Sequence, residues 1–141
     1  NKFVKLEYTA GSFPNGIALD QENNNLVVNY NFGDKTILFD MDNQNQIGIF
    51  EYNSPDNVII KDEFVWVTNH DHSAISALRC SKKTNCTLPF SVNQISLKNL
   101  SLINSYKFKS NNMGTGTVAL PHQGSLWIGS YRSDRIAEGR L

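Results

Sequence analysis

The sequence predicts an all-β protein made of repeated antiparallel units, a β-propeller of about three blades. Three observations predict it. Asn accounts for 18 of 141 residues, and Asn is favoured in turns and depleted in helices and strands. Short apolar or alternating runs lie between these turn residues, and no window of about 12 residues sustains a helical period. Three runs share one form, Leu26-Val27-Val28, Val65-Trp66-Val67 and Leu126-Trp127-Ile128, and they open 39 and 61 residues apart. The first spacing is near the ~40–50-residue period of propeller blades, and the second fits that unit with an insertion of about 20 residues.

The elements follow in order. Gly16–Leu19, Asn25–Asn29, Lys35–Asp40 and Gln46–Glu51 read as the strands of a first unit. Asn57–Ile60, Glu63–Val67, Ser73–Leu78, Val92–Leu97 and Leu102–Phe108 supply the second, with the Cys-bearing insert in a loop between strands. Thr117–Leu120, Ser125–Gly129 and Arg135–Ala137 supply a third that ends early. Turn signals at 20–25, 33–34, 61–62 and 122–124 separate them. The expected blade boundaries are 10–52, 53–110 and 111–141. Val4–Tyr8 reads as the outer strand of a preceding blade. Propellers hold about 4–8 blades, so three cannot close a ring, and the chain reads as the C-terminal half of a larger one. A self-standing β-sandwich is the alternative.

Composition narrows the function. Lys+Arg and Asp+Glu are 13 each, which argues against nucleic-acid binding, a role that favours a basic excess. No apolar run approaches the roughly 20 residues of a membrane-spanning helix. The chain opens at Asn1-Lys2-Phe3-Val4, with neither an initiator Met nor a signal-peptide pattern. The expectation is that missing N-terminal blades of the same chain precede it.

Three stretches resemble the gluconolactonase and paraoxonase-like (arylesterase) six-bladed propellers. Phe13-Pro14-Asn15-Gly16-Ile17-Ala18-Leu19-Asp20 is similar to their blade opening. Ser54-Pro55-Asp56-Asn57-Val58 with Val65-Trp66-Val67-Thr68-Asn69-His70 resembles a segment of the paraoxonase branch, with Thr68 where that pattern has Gly. Gly116-Thr117-Val118-Ala119, Leu126-Trp127-Ile128-Gly129-Ser130 and Asp134-Arg135-Ile136-Ala137 resemble its closing blade. The likeness spans Phe13 to Ala137. It implies a calcium ion at the centre of a six-bladed ring, with Asn15, Asp56 and Asn57 as metal ligands and His70 at the active-site rim as catalytic base or oxyanion partner. The family's remaining ligands and its upstream His residues would lie before this chain. The implied activity is calcium-dependent hydrolysis of lactones or aryl/carboxylic esters, with a small-molecule ester or lactone as substrate. The alternatives are a non-catalytic propeller binding module and a strictosidine-synthase-like propeller.

The residue chemistry agrees in kind with that implication. Calcium takes about 6–8 oxygen ligands from carboxylates, amide carbonyls and water, and Asn and Asp supply them. A site rich in neutral Asn leaves the cation electrophilic. Asn15 and Asn57 read as equivalent points of two units, both also explicable as turn residues. Pro55 is expected to hold Ser54 extended ahead of a buried strand, and a carboxylate buried there needs a partner. His70 and His72 at i, i+2 share one face of a strand, but two His with no third ligand make a poor zinc site. His122 reads as a surface turn residue.

Cys80 and Cys86 flank five residues and suit a small disulfide loop, which fits an exported protein. Asn85-Cys86-Thr87 and Asn99-Leu100-Ser101 match the glycosylation pattern. No G-x-S-x-G elbow is present, and Gly114-Thr115-Gly116-Thr117 lacks the Lys of a phosphate loop. Trp66 and Trp127 stand at matching strand positions and are expected to pack between blades.

Overall fold

The computed structural model describes residues 2–80, 87–109, 113–131 and 133–141. Turn chemistry sets the strand breaks. Asp20 accepts from the Asn23 side chain at 2.9 Å, and Asp40 accepts from the backbone N–H groups of Asp42 and Asn43 at 2.8 and 2.9 Å. Such Asx turns let the chain reverse without leaving backbone donors unpaired. Asn24, Asp34, Gln44, Asp62 and Gln123 take positive φ at the reversals.

Among the described residues eleven strands run between these turns, in three antiparallel sheets. The first sheet is β1 (Pro14–Asp20), β2 (Asn25–Tyr30), β3 (Lys35–Asp40) and β4 (Asn45–Glu51), paired in chain order. The second is β5 (Pro55–Lys61), β6 (Phe64–His70), β7 (Phe90–Ser96) and β8 (Leu102–Phe108). The third is β9 (Gly116–His122), β10 (Ser125–Ser130) and β11 (Ala137–Arg140). The three recurrent apolar triplets all fall on second strands, β2, β6 and β10.

The sheets pack face to face, with β1 against β5 and β5 against β9. The sequence shows why. In β6 the five residues Val65–Asn69 are all buried, because one face meets the first sheet and the other meets the third. A strand covered on both sides reads as a continuous apolar run. Val65 and Val67 join Val27, Leu38, Val58, Ile95 and Leu100 between the first two sheets. Trp66, Phe90, Val92, Met113, Ala119, Leu126 and Ile128 fill the space between the second and third.

Several sequence expectations are corrected. The run Ser73–Leu78 is not a strand: Ala74–Cys80 forms α1. The Ser73 hydroxyl accepts from the Ser76 N–H at 3.2 Å, an N-cap the apolar alternation had masked. Val4–Tyr8 does not form an outer strand. It runs as coil into a single 3-10 turn at Glu7–Thr9, and Tyr8 packs edge-on against Phe39 at 5.8 Å. The third unit's last strand lies at Ala137–Arg140 rather than Arg135–Ala137. Trp66 is 6% exposed and stacks on Tyr106, but Trp127 is 44% exposed with His122 edge-on beside it. The matching strand position is buried in the second sheet because a third sheet covers it. No described residue covers it in the third.

Among the described residues no helix is long and apolar enough to cross a membrane. Cys80 is disulfide-bonded; Cys86 and the Asn85 sequon lie outside the described residues.

Candidate functional site

The site grows from a feature that occurs twice. Phe13 and Ser54 both take positive φ, 59° and 39°, and each is followed by Pro and then a candidate ligand. Ser54 is therefore not extended, contrary to the sequence expectation: the left-handed turn overrides the usual pre-proline bias. Each carbonyl is caught by the end of the neighbouring second strand. The Asn31 N–H donates to Phe13 O and the His70 N–H donates to Ser54 O, both at 3.1 Å. Immediately afterwards both first strands bulge, between Pro14 and Ile17 and between Pro55 and Val58. Bulges re-aim side chains at the ends of sheets, and residues held in left-handed conformations gather where the structure over-determines them.

The register makes Pro14 the counterpart of Pro55, since they pair with Tyr30 and Asn69 at the same step of the ladder. Asn15 is then the counterpart of Asp56, and Asn57 that of Gly16. This corrects the expected equivalence of Asn15 with Asn57. The one-residue difference has a consequence. Asn15 Nδ2 donates to Asp56 Oδ1 at 2.5 Å, joining the first two sheets, whereas Asn57 Nδ2 donates to Thr117 O at 2.9 Å, joining the second to the third.

Asp56 is 8% exposed, and a carboxylate so placed needs compensating groups. Besides Asn15 it has His70, whose Nε2 lies 3.2 Å from Oδ2. That approach is within ion-pair range but off the line of a hydrogen bond, so His70 Nε2 has no hydrogen-bond partner. His70 stacks on His72 with ring centroids 5.0 Å apart. Burial, with the neighbouring His70 as a lesser cause, pushes the His72 imidazole below its ordinary value. Asp71 turns away to accept from Ser91 Oγ at 3.1 Å. A cleft of about 420 Å³ opens beside these groups, lined by Asp34, Ser54, His70, Asp71 and His72 among others.

Three of the four expected site residues thus converge: Asn15, Asp56 and His70. Asn57 stands next in the chain but engages the third sheet. Among the described residues no cluster of three or more His, Cys, Asp and Glu side chains could hold a metal ion. A calcium site here would draw on Asp56 and Asn amide oxygens, which suit a hard cation in kind and fall short of the usual ligand number. The rest would come from water or other groups.

Four residues at this site were not singled out from the sequence. Asn29 Nδ2 donates to Asp56 O at 2.8 Å, and Asn31 Nδ2 donates to Pro55 O at 3.1 Å. Thr36 Oγ1 donates to Asn29 Oδ1 at 2.7 Å. Gly16 lies so close that an added Cβ would stand 2.3 Å from Asp56 O. The available signal was Asn29 and Asn31 at i+2 and i+4 from buried Val27, at the end of β2 and just past it, where an apolar stripe turns polar.

No family model matches the chain, and no curated protein matches it.

Proposed function

We propose that the chain is the C-terminal half of a six-bladed propeller and forms part of a calcium-dependent hydrolase of lactones or aryl/carboxylic esters. The observation that carries this reading is the meeting of Asn15 and Asp56. They come from register-equivalent positions on adjacent first strands and join at one end of the sheets beside His70. Successive blades would bring such positions to a common axis.

The outer sheet faces support the half-ring. Ile17 and Leu19 stand exposed on the first sheet, and Leu120 and Trp127 on the third. Each is an apolar face of the kind the second sheet buries on both sides, and further blades would cover it.

When bound, calcium would polarise the substrate carbonyl and stabilise the oxyanion formed on attack. The chain's own residues have separate tasks. Asp56 would supply the charged ligand, its Oδ1 held by the Asn15 amide. Asn15 and Asn57 would supply neutral amide oxygens, the nitrogen of each being engaged already by Asp56 and by Thr117 O. His70 Nε2, buried beside Asp56 and without a hydrogen-bond partner, is the group in this chain that would take a proton from attacking water.

The test is turnover of phenyl acetate and simple lactones by the full protein, with and without chelator. Calcium-dependent hydrolysis is expected, abolished by Asp56→Ala. Activity retained in that variant at saturating calcium removes Asp56 from the site. Activity indifferent to chelation rejects the metal reading.

A further inference from the structure

We infer that Gly16, Asn29, Asn31 and Thr36 form a positioning clamp, through which the first sheet sets where the second presents Asp56. The inference rests on the proposed hydrolase site and adds to it residues that touch neither metal nor substrate.

The geometry is specific. The β5 bulge exposes two successive carbonyls, Pro55 O and Asp56 O, toward β2. Two amides spaced i, i+2, Asn29 near the end of β2 and Asn31 just past it, meet them: Asn31 donates to Pro55 O and Asn29 to Asp56 O. An Asn amide could present either its oxygen or its nitrogen. Asp56 O can only accept, which turns the Asn29 nitrogen toward it, and Thr36, the cross-strand partner of Asn29, completes the amide by donating to Oδ1. Asn29 and Thr36 are fully buried, 0% and 1% exposed. Flipping the amide there would set Asn29 Oδ1 against Asp56 O and take from the Thr36 hydroxyl its acceptor. Gly16 lets the bulge approach, since any side chain at that position would meet Asp56 O and Asn57 Cα.

The clamp is not a general device of sheet packing here. The register-equivalents of Asn29 and Asn31 in β6 are Thr68 and His70, and neither has an amide to donate to the third sheet. It occurs at the interface that carries the buried carboxylate.

Thr36 gives the cleanest test, because Val matches its shape and Ser keeps its hydroxyl. Two measurements are made on the full protein: the Asn15 side-chain amide resonances without calcium, and calcium affinity by calorimetry. For Thr36→Val the Asn15 resonances should shift and calcium affinity should fall about tenfold, the usual scale for a residue that orients a ligand. The kcat at saturating calcium should be unchanged, and Thr36→Ser should restore both readouts. Asn31→Ala, at a half-buried position, should show the same pattern if Thr36→Val does not fold.

A calcium-binding wild type whose folded Thr36→Val variant binds calcium equally tightly overturns the clamp. So does an affinity loss that Thr36→Ser shares in full. A wild type that binds no calcium overturns the metal reading instead. The clamp then stands or falls on the Asn15 resonances, and unmoved signals in Thr36→Val reject it.

Discussion

Replacing Gly16 with Ala should loosen the junction between the first two sheets. A methyl at Gly16 would lie 2.3 Å from Asp56 O, 2.9 Å from Asn57 Cα and 3.0 Å from Val58 N. All three neighbours are backbone, so no flexible side chain can yield. The bulge of β5 must shift, or β1 must withdraw from it. Forcing one carbon into a packed contact costs about 1–3 kcal/mol. Some of the hydrogen bonds from Asn29 and Asn31 to the same bulge would be lost as well, at about 1 kcal/mol each. The expected destabilisation is therefore about 2–4 kcal/mol, read from urea unfolding at constant slope. Gly124→Ala is the control. Gly124 sits at φ +77° in a turn with nothing within 4 Å, so it carries only the strain of a left-handed residue, about 1 kcal/mol. A Gly16→Ala protein no less stable than Gly124→Ala would refute the claim that steric approach sets this junction.

Other outcomes can be checked alongside. Lys61 Nζ reaches across to Pro121 O at 2.6 Å; Lys61→Met should cost about 1 kcal/mol in urea unfolding, a charged hydrogen bond weakened by partial exposure. Trp66→Ala should cost about 3–5 kcal/mol, because Trp66 fills the space between the second and third sheets and its loss leaves a cavity. The His72 imidazole titrates below 6.5 in the folded chain, mainly because it is buried. The unfolded chain therefore binds that proton more readily, and the associated stability is present above pH 6.5 and lost as pH falls through the folded value. Melting temperature should drop less in His72→Gln than in wild type between pH 7 and 5. Equal drops would exclude His72 as a source.

Much of the fold was legible because strands buried on two faces and strands buried on one leave different marks. Lys35–Asp40 and Leu102–Phe108 coincide with observed strands end for end, since turn residues flank them. Ser73–Leu78 was misread because a seven-residue helix is too short to display a period, and only its Ser73 cap distinguished it. The equivalence of Asn15 with Asp56 rather than Asn57 was marked by Pro14 and Pro55 just before them; what the two bulges hid is where those side chains point. A bulge inserts one residue and moves every later side chain to the opposite face, and nothing in the residue types marks where it falls.

The sequence by itself determined the all-β character, the antiparallel repeat and the choice of oxygen-bearing side chains at the start of β1 and β5. These follow from local chemistry: turn propensity, alternation of apolar residues, and the donors available to a hard cation. Tertiary structure decided which of those side chains meet. Asn15 and Asp56 are 41 residues apart in the chain, and only the packing of one sheet on the next brings them together. It also gave Gly16, Asn29 and Thr36 their roles, because a close approach or a buried amide acquires meaning only from the neighbour it faces.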